Sequence, residues 1–348
     1  MNYIDIINRN RRENAKVDWW PLFAYHYTNI TNAVSILEMG QIYSRTNAIK
    51  LGIMDNDNAS RQVIDMTNLE AQRAVRFYFR PCTPTQYYNE GYKHPQLRYD
   101  DDIHANCPVP VFFAFELSSF LSLQGCTFSE VSRAGGSPAV YSGAEAFSNL
   151  NFKMIYKTGP MEEPAQEKLY RQAELTQPSP MSIRPYLSAV LCRNSFEQSM
   201  LLMLLREKSM KLFEYYRPII KVCRTDMFEN NGLFIENIAY HSGKLGIVFS
   251  NSYKKVQYTQ RQKKQRGITQ LVPLKWKLEI EWYKSKNKQW EKIYRSDLSS
   301  TLDYDNPDPI YIQLPEILNA KMFKVFFYIE NDLLGCKDFV LHEESTVF

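Results

Sequence analysis

The chain predicts an α+β protein in two parts: a mixed α and β domain over residues 1–225 and a small all-β, sandwich-like domain over 226–348. Three observations carry this. Helix patterns with end signals fall in the first 210 or so residues; strict alternation of apolar and polar residues takes over after about residue 225; and 348 residues are enough for two cores.

Taken in order, "TNAVSILEMG" places Thr31 as an N-cap, Ala33, Ile36 and Leu37 at helical spacing, and Gly40 where a glycine ends a helix. "VPVFFAFEL" from Val109, "SAVLC" up to Cys192, and "RPIIKVC" over Arg217 to Cys223 are short apolar runs of the kind that form buried strands. Between the last two, "NSFEQSMLLMLLREK" opens on Asn194 with Glu197 three residues on, resembling a capping box. Its stripe of Phe196, Met200, Met203 and Leu204 belongs in a core. In "LKWKLEIEW", Leu274, Trp276, Leu278, Ile280 and Trp282 alternate with Lys275, Lys277, Glu279 and Glu281, as a strand with one wet face requires. "PIYIQL" and "KVFFYIE" continue the style, divided by turn residues such as "DYDNPDP".

Composition narrows the class. With 44% hydrophobic, 23% charged and 14% aromatic residues, the chain is globular rather than disordered. No uninterrupted apolar run reaches membrane-spanning length. The N-terminus, with Arg9, Arg11, Arg12, Trp19 and Trp20, has no signal-peptide core, so a cytoplasmic protein without membrane association is expected. The six cysteines are scattered without a C-x-x-C pair, so reduced thiols and no bound metal are expected. From Lys244 to Lys292 there are 13 Lys and Arg against 3 acids, and from Ser296 onward 3 against 10, so the C-terminal third is polarised. The run "RQKKQR", with Arg261, Lys263, Lys264 and Arg266, fits nucleic-acid phosphates; a solvated loop is the other reading.

Four stretches stand out for chemistry: "YHYT" (25–28), Arg61 in "NASRQV", "VRFYFRPCTPTQYY" (75–88) and "RQAELT" (171–176). Each alone has a structural explanation: a core histidine for His26, a solvated arginine for Arg61, a half-buried strand for "FYF", and an ion pair with Arg171 or Arg193 for Glu174. There is no G-x-G-x-x-G, phosphate-loop lysine motif or H-E-x-x-H, which leaves dinucleotide redox, nucleotide hydrolysis and metalloprotease chemistry without support.

In this order, the stretches resemble the DarT family of DNA ADP-ribosyltransferase toxins over about residues 20–225. The family's H-x-T followed by a helix ending in Gly matches "AYHYTNITNAVSILEMGQIYS", with His26, Thr28 and Gly40 in register. Its helical arginine aligns with Arg61, with Arg73 and Arg76 as competitors; its "FYF-x-P-x-[ST]-P" stretch matches "FYFRPCTP"; and its glutamate matches Glu174 in "QAEL". The resemblance implies an ADP-ribosyltransferase-like split sheet, NAD as co-substrate, and a mono-ADP-ribosyltransferase modifying a base in single-stranded nucleic acid. It further implies a toxin with an antitoxin partner in a toxin–antitoxin or anti-phage system. The sequence departs from the family after "FYF-x-P": where the family has Arg-Ser-Pro-Met-Leu-Tyr, Cys82, Thr83, Pro84, Thr85 and Gln86 precede Tyr87. That segment shapes the target side in the family, so RNA, including mRNA, stands beside DNA, with a slight lean to RNA. A protein-directed transferase and a non-catalytic nucleic-acid-binding protein of the same fold are the rival readings.

The implied chemistry suits these residues. Breaking the nicotinamide–ribose bond builds positive charge on the sugar, which a fixed carboxylate stabilises while taking a proton from the incoming base; Glu174 is placed there. Arg61 offers a planar fork to pyrophosphate and supports catalysis. His26 and Thr28 offer hydrogen bonds to hydroxyl or carboxamide groups, and Tyr27, Phe77, Tyr78 and Tyr87 offer aromatic walls.

Overall fold

The N-terminal part is organised on one strand, β1 (Phe23–Asn29), whose neighbours on both sides come from distant sequence. In this computed structural model, which describes residues 2–55, 65, 67, 69–98, 105–134, 138–223, 226–286 and 289–341, the pairings of β1 can be followed in full. It runs antiparallel to β3 (Val75–Tyr78) on one side and to β4 (Pro110–Glu116) on the other. The sheet continues outward through β6 (Glu174–Gln177) to β5 (Thr127–Ser129), and through β8 (Leu187–Cys192) to β9 (Ile220–Val222), in the order β5-β6-β3-β1-β4-β8-β9. A separate ladder of β2 (Gln41–Ile42) and β7 (Met181–Ser182) lies beside it. The three apolar runs read as strands are thus β4, β8 and β9, though β9 is shorter than its run because Arg217–Ile219 turns as a 3-10 helix.

Helix α1 (Tyr3–Glu13) packs through Ile6 and Ile7, and α2 (Ile30–Met39) through Ala33, Val34, Ile36 and Leu37, onto the sheet face that carries Phe77, Phe113 and Phe115. Thr31 is not the N-cap of α2. That position belongs to Asn29, whose side-chain oxygen accepts from the Val109 amide (3.1 Å) and whose amide donates to Thr31 (3.0 Å). The helix therefore starts one residue after β1 ends, and strand and helix share a rigid corner. Gly40 ends α2 with φ of 69°, as its position predicts. Helices α3 (Arg45–Leu51), α4 (Leu69–Arg73) and α5 (Pro84–Asn89) follow. In α6 (Ser195–Lys208), Asn194 caps the Glu197 amide (2.8 Å), and Met200, Leu201, Met203 and Leu205 are buried in the core.

The C-terminal part is two antiparallel sheets facing each other: β10 (Ile235–His241), β11 (Lys244–Phe249) and β14 (Ile310–Gln313) against β13 (Gln289–Leu302), β12 (Leu274–Lys286), β15 (Met322–Ile329) and β16 (Asp332–Val340), each in that order. Leu274, Trp276, Leu278, Ile280 and Trp282 of β12 meet Ile238, Leu245, Ile247 and Phe249 in one core, as the alternation requires. One element departs from an all-β module. Residues Tyr253–Arg266 form a 14-residue helix, α7, ended by Gly267 at φ 66°. "RQKKQR" is thus helix rather than loop, because straight-chain Lys, Gln and Arg without Gly or Pro favour helix, and Tyr258 and the stem of Lys255 give it a buried face.

The two parts are interleaved around residues 86–98 and 227–235. Tyr92 and Leu97 enter the C-terminal core, Met227 and Phe228 pack under Tyr25 and Phe112, and Tyr92 and Leu233 exchange backbone hydrogen bonds. Glu90, fully buried, accepts from the amides of Glu229 and Asn230, each at 2.8 Å. Among the described residues no helix is long and apolar enough to cross a membrane.

This seam has no room for a side chain at Gly232. A Cβ there would stand 2.5 Å from the Glu90 carbonyl oxygen and 2.7 Å from the Gly91 carbonyl carbon. Gly232→Ala should destabilise the protein by about 3 kcal/mol, read as a lower urea midpoint; an unchanged midpoint would show that the seam yields.

Candidate active site

Alternation along β1 sends Tyr25 and Tyr27 to one face and His26 and Thr28 to the other, the face that α2 covers. The His26 ring lies against Phe77 (5.6 Å) and Phe113 (6.2 Å), and its Nδ1 is 3.0 Å from the backbone carbonyl of Arg76. A carbonyl only accepts, so Nδ1 carries the proton and Nε2 is left as an acceptor. Burial lowers the imidazole pKa and the carbonyl contact pushes it part of the way back, so the ring stays neutral at neutral pH.

One strand further out, β3 and β6 pair Tyr78 with Glu174 and Arg76 with Thr176. Arg76 forks the Glu174 carboxylate, Nε to Oε2 at 2.7 Å and Nη2 to Oε1 at 2.6 Å, and the Arg133 amide donates to Oε1 at 3.0 Å. The Glu174 side chain has no exposed surface, whereas that of Arg76 is 25% exposed. Burial works against the guanidinium charge, but the carboxylate outweighs it, and the arginine pKa rises. The two arginines that the sequence offers as partners go elsewhere: Arg171 pairs with Glu167 (3.0 Å) and Arg193 with Glu197.

Arg76, Tyr78, His26 and Thr28 open on a cleft of about 220 Å³, closed across by Ile36 and Met39 of α2 and by Ser44, Arg45 and Ala48 at the start of α3. It combines an apolar wall, a neutral imidazole acceptor and a guanidinium, which suits a ligand with flat rings and phosphates. Both His26 and Glu174 contact Arg76, one through its carbonyl and one through its side chain, so the acid lies directly behind the cleft.

The remaining candidates divide. Phe77 is wholly buried against Phe115 (5.4 Å) and Phe120 (4.6 Å); it backs His26 and does not face the cleft, because its strand position points inward. Tyr27 borders the cleft, but its ring packs on Phe112 (5.1 Å) and its hydroxyl donates to Asn89 (3.1 Å) on the opposite face of the sheet. Tyr87 stands on α5, off the cleft, against Tyr88 (5.3 Å) and Tyr258 (5.4 Å). Arg61 lies outside the described residues, and Arg73 is exposed at the end of α4, so Arg76 is the arginine that joins cleft and acid. In the basic run, Lys263 is held by Asp305 (2.9 Å) and Arg266 by the carbonyls of Gln96 and Arg98, while Arg261 and Lys264 lie on the exposed face of α7. Sequence reasoning missed Asn32, Ser44 and Arg45 on the cleft wall. The only local signals there were caps: Ser44 accepts from the Asn47 amide, and Gly52 ends α3.

The sequence model described as "ssDNA thymidine ADP-ribosyltransferase, DarT" matches residues 25–217, more than half of the chain. Among curated proteins no sequence matches. Among solved structures, Thermus sp. 2.9 DarT in complex with NAD+ is 15% identical with a TM-score of 0.45, the match covering 60% of this chain and 98% of that one. The same protein in complex with ADP-ribosylated ssDNA gives 15%, 0.48, 60% and 96%. Thermosipho africanus DarTG in complex with ADP-ribose gives 16%, 0.45, 63% and 53%.

Two expectations follow from the geometry. Arg76→Ala strands a buried carboxylate and should cost about 3–5 kcal/mol; a thermal melt like that of the unaltered chain would show that Glu174 has another cation. Because the pKa of His26 is lowered in the folded state, its contribution is complete above the ordinary value of 6.5 and is lost as the pH falls through the lowered one. In the folded protein the ring takes its proton only at a pH below that ordinary value, so ligand affinity at the cleft should hold at about pH 6.5 and weaken at a lower pH, and His26→Gln should flatten that dependence in a calorimetric titration.

Proposed function

Because the chain belongs to the DarT family of ADP-ribosyltransferases, we propose that it is an NAD-dependent mono-ADP-ribosyltransferase that modifies a base in single-stranded nucleic acid. The observation that supports this most directly is the cleft lined by His26 and, next to it, by Arg76, whose guanidinium holds Glu174 behind the wall. His26 Nε2 accepts from a hydroxyl or carboxamide of NAD, Thr28 adds a hydroxyl, and Tyr78 supplies the flat wall. Arg76 serves the pyrophosphate. Its fork is already matched to a carboxylate, and the same geometry fits phosphate.

Glu174 is the catalytic residue of this reading. In the structure Arg76 covers it, so we give Arg76 a second role, in which turning its fork to the bound NAD uncovers the carboxylate at the moment the sugar needs it. The freed anion then lies beneath the ribose, where it stabilises positive charge as nicotinamide leaves and takes the proton from the incoming base nitrogen. Holding the carboxylate buried until then keeps water from it. Arg61 stays a candidate for the pyrophosphate on the strength of the family pattern alone.

DNA is the substrate that the family description names. RNA, including mRNA, is the second reading, and it rests on the segment after "FYFRP". There Cys82 takes a left-handed φ of 55°, Thr83 caps α5, and buried Gln86 donates to Glu90 (2.6 Å) and to the Met227 carbonyl (2.7 Å). Residues that shape the target side in the family are here tied to the C-terminal part, which changes what the target meets. A toxin of this chemistry in the cytoplasm needs an antitoxin partner, and an anti-phage role fits the pair.

Glu174→Gln keeps the shape and removes the charge, and should lower transfer by roughly a thousandfold. Mass spectrometry of DNA and RNA oligonucleotides after incubation with the protein and NAD should show one added ADP-ribose. Label on protein with blank oligonucleotides would favour the protein-directed reading, and an unchanged phenotype in Glu174→Gln would favour the binding protein.

A further inference from the structure

Helix α7 lies in the part of the chain that the family match does not cover, yet it packs beside the residues that lead out of the cleft. From Tyr78 on the cleft wall the structure leads to α5: the Tyr78 phenol bonds to Thr85, Thr85 accepts from Gln172 (3.1 Å), and Tyr87 and Tyr88 follow in the same short helix. The ammonium of Lys168 stands 5.6 Å from the Tyr88 ring. Tyr87 packs edge-on to Tyr258 of α7, and its hydroxyl bonds to the Arg261 side chain.

On α7, Lys255, Tyr258, Thr259 and Gln262 are buried, while Lys254, Arg261 and Lys264 are exposed. Positions 254, 261 and 264 fall on one helical face, and the run from first to last covers about 15 Å. The charge therefore forms a stripe of fixed spacing, backed by buried side chains and joined to the aromatic pair. Aromatic faces beside a cationic stripe are what a single polynucleotide strand binds: bases stack on the rings and phosphates meet the cations.

We propose that the outward face of α7, with Tyr87, Tyr88 and Lys168, is the track that carries a single-stranded polynucleotide into the cleft. The accessory domain would then hold the strand beyond the base being modified. This rests on the proposed transferase activity, and it adds a dependence on strand length that the cleft alone does not provide. Lys263 and Arg266, committed to Asp305 and to backbone carbonyls, fix the helix and stay off the track.

The test uses the full chain with NAD and single-stranded DNA and RNA oligonucleotides of about 20 and about 3 nucleotides carrying the same modified site. The unaltered protein should show a KM for the longer strand at least about tenfold lower than for the shorter, and the logarithm of affinity should fall steeply with salt. Arg261→Glu with Lys264→Glu should raise the long-strand KM about tenfold, and neutralising both with Gln should cut the salt slope by about 1.4. Tyr88→Ala should raise the long-strand KM and Tyr88→Phe should restore it; thermal melts report that each variant folds. Equal KM values for long and short strands in the unaltered protein, or a long-strand KM that the Arg261 and Lys264 variants leave in place, would overturn the track while leaving the transferase reading intact. Absence of label on any oligonucleotide would instead remove the transferase reading. Whether DNA or RNA shows the length effect identifies the strand the track accepts.

Discussion

A carboxylate with no exposed surface must be held by donors inside the protein, because removing its hydration without replacement costs several kcal/mol. Glu174 meets that demand with the Arg76 fork and the Arg133 amide. The consequences reach outward. The ion pair ties β6 to β3 alongside their backbone ladder, the backbone of Arg76 orients His26 through its carbonyl, and β1 carries that alignment across the sheet to β4. One arginine thus holds the acid and part of the cleft wall through its guanidinium, and sets the tautomer of the imidazole through its backbone carbonyl.

The same device recurs at the seam between the two parts. Glu90 is buried as completely as Glu174, and it is satisfied by the amides of residues 229 and 230, by Gln86, and by Arg193 at 3.7 Å. Backbone amides just before β10 are thereby fastened to a carboxylate of the N-terminal part, and the preceding Met227 and Phe228 are held under the sheet. Replacing water with fixed donors makes such a site specific for one arrangement of chain. The C-terminal sandwich is thus attached through a defined seam, and α7 is presented beside α5 by that attachment.

Burial of acids therefore does two kinds of work. At Glu90 every donor is part of the framework, and the outcome is fixed geometry. At Glu174 one donor is a long side chain that is a quarter exposed at the cleft. On the function proposed above, that difference in the donor is what lets one carboxylate be uncovered while the other stays structural.

Much of this is legible along the chain. The period of two in "LKWKLEIEW" marks a sheet with one wet face because side chains alternate whatever the strand pairs with. The caps at Asn194 and Gly40 are visible because helix ends are local events. The stretches around His26 and Glu174 are recognisable as a pair through their order. Thr31, by contrast, loses the N-cap to Asn29, since Asn29 bonds to the distant Val109 amide. "RQKKQR" reads as a charge run, and its helix depends on a buried face that only Tyr258 and its surroundings create.

What the sequence determined by itself is what depends on near neighbours: helix and strand periodicity, the change of pattern near residue 225, and the residue types from which the site is drawn. The tertiary structure decided which arginine faces Glu174, that Phe77 and Tyr27 turn away from the cleft, and that α7 stands next to Tyr87. These are pairings across 98 residues for Arg76 with Glu174 and 171 for Tyr87 with Tyr258. Strand register and packing choose such partners, and neither is encoded in any local spacing.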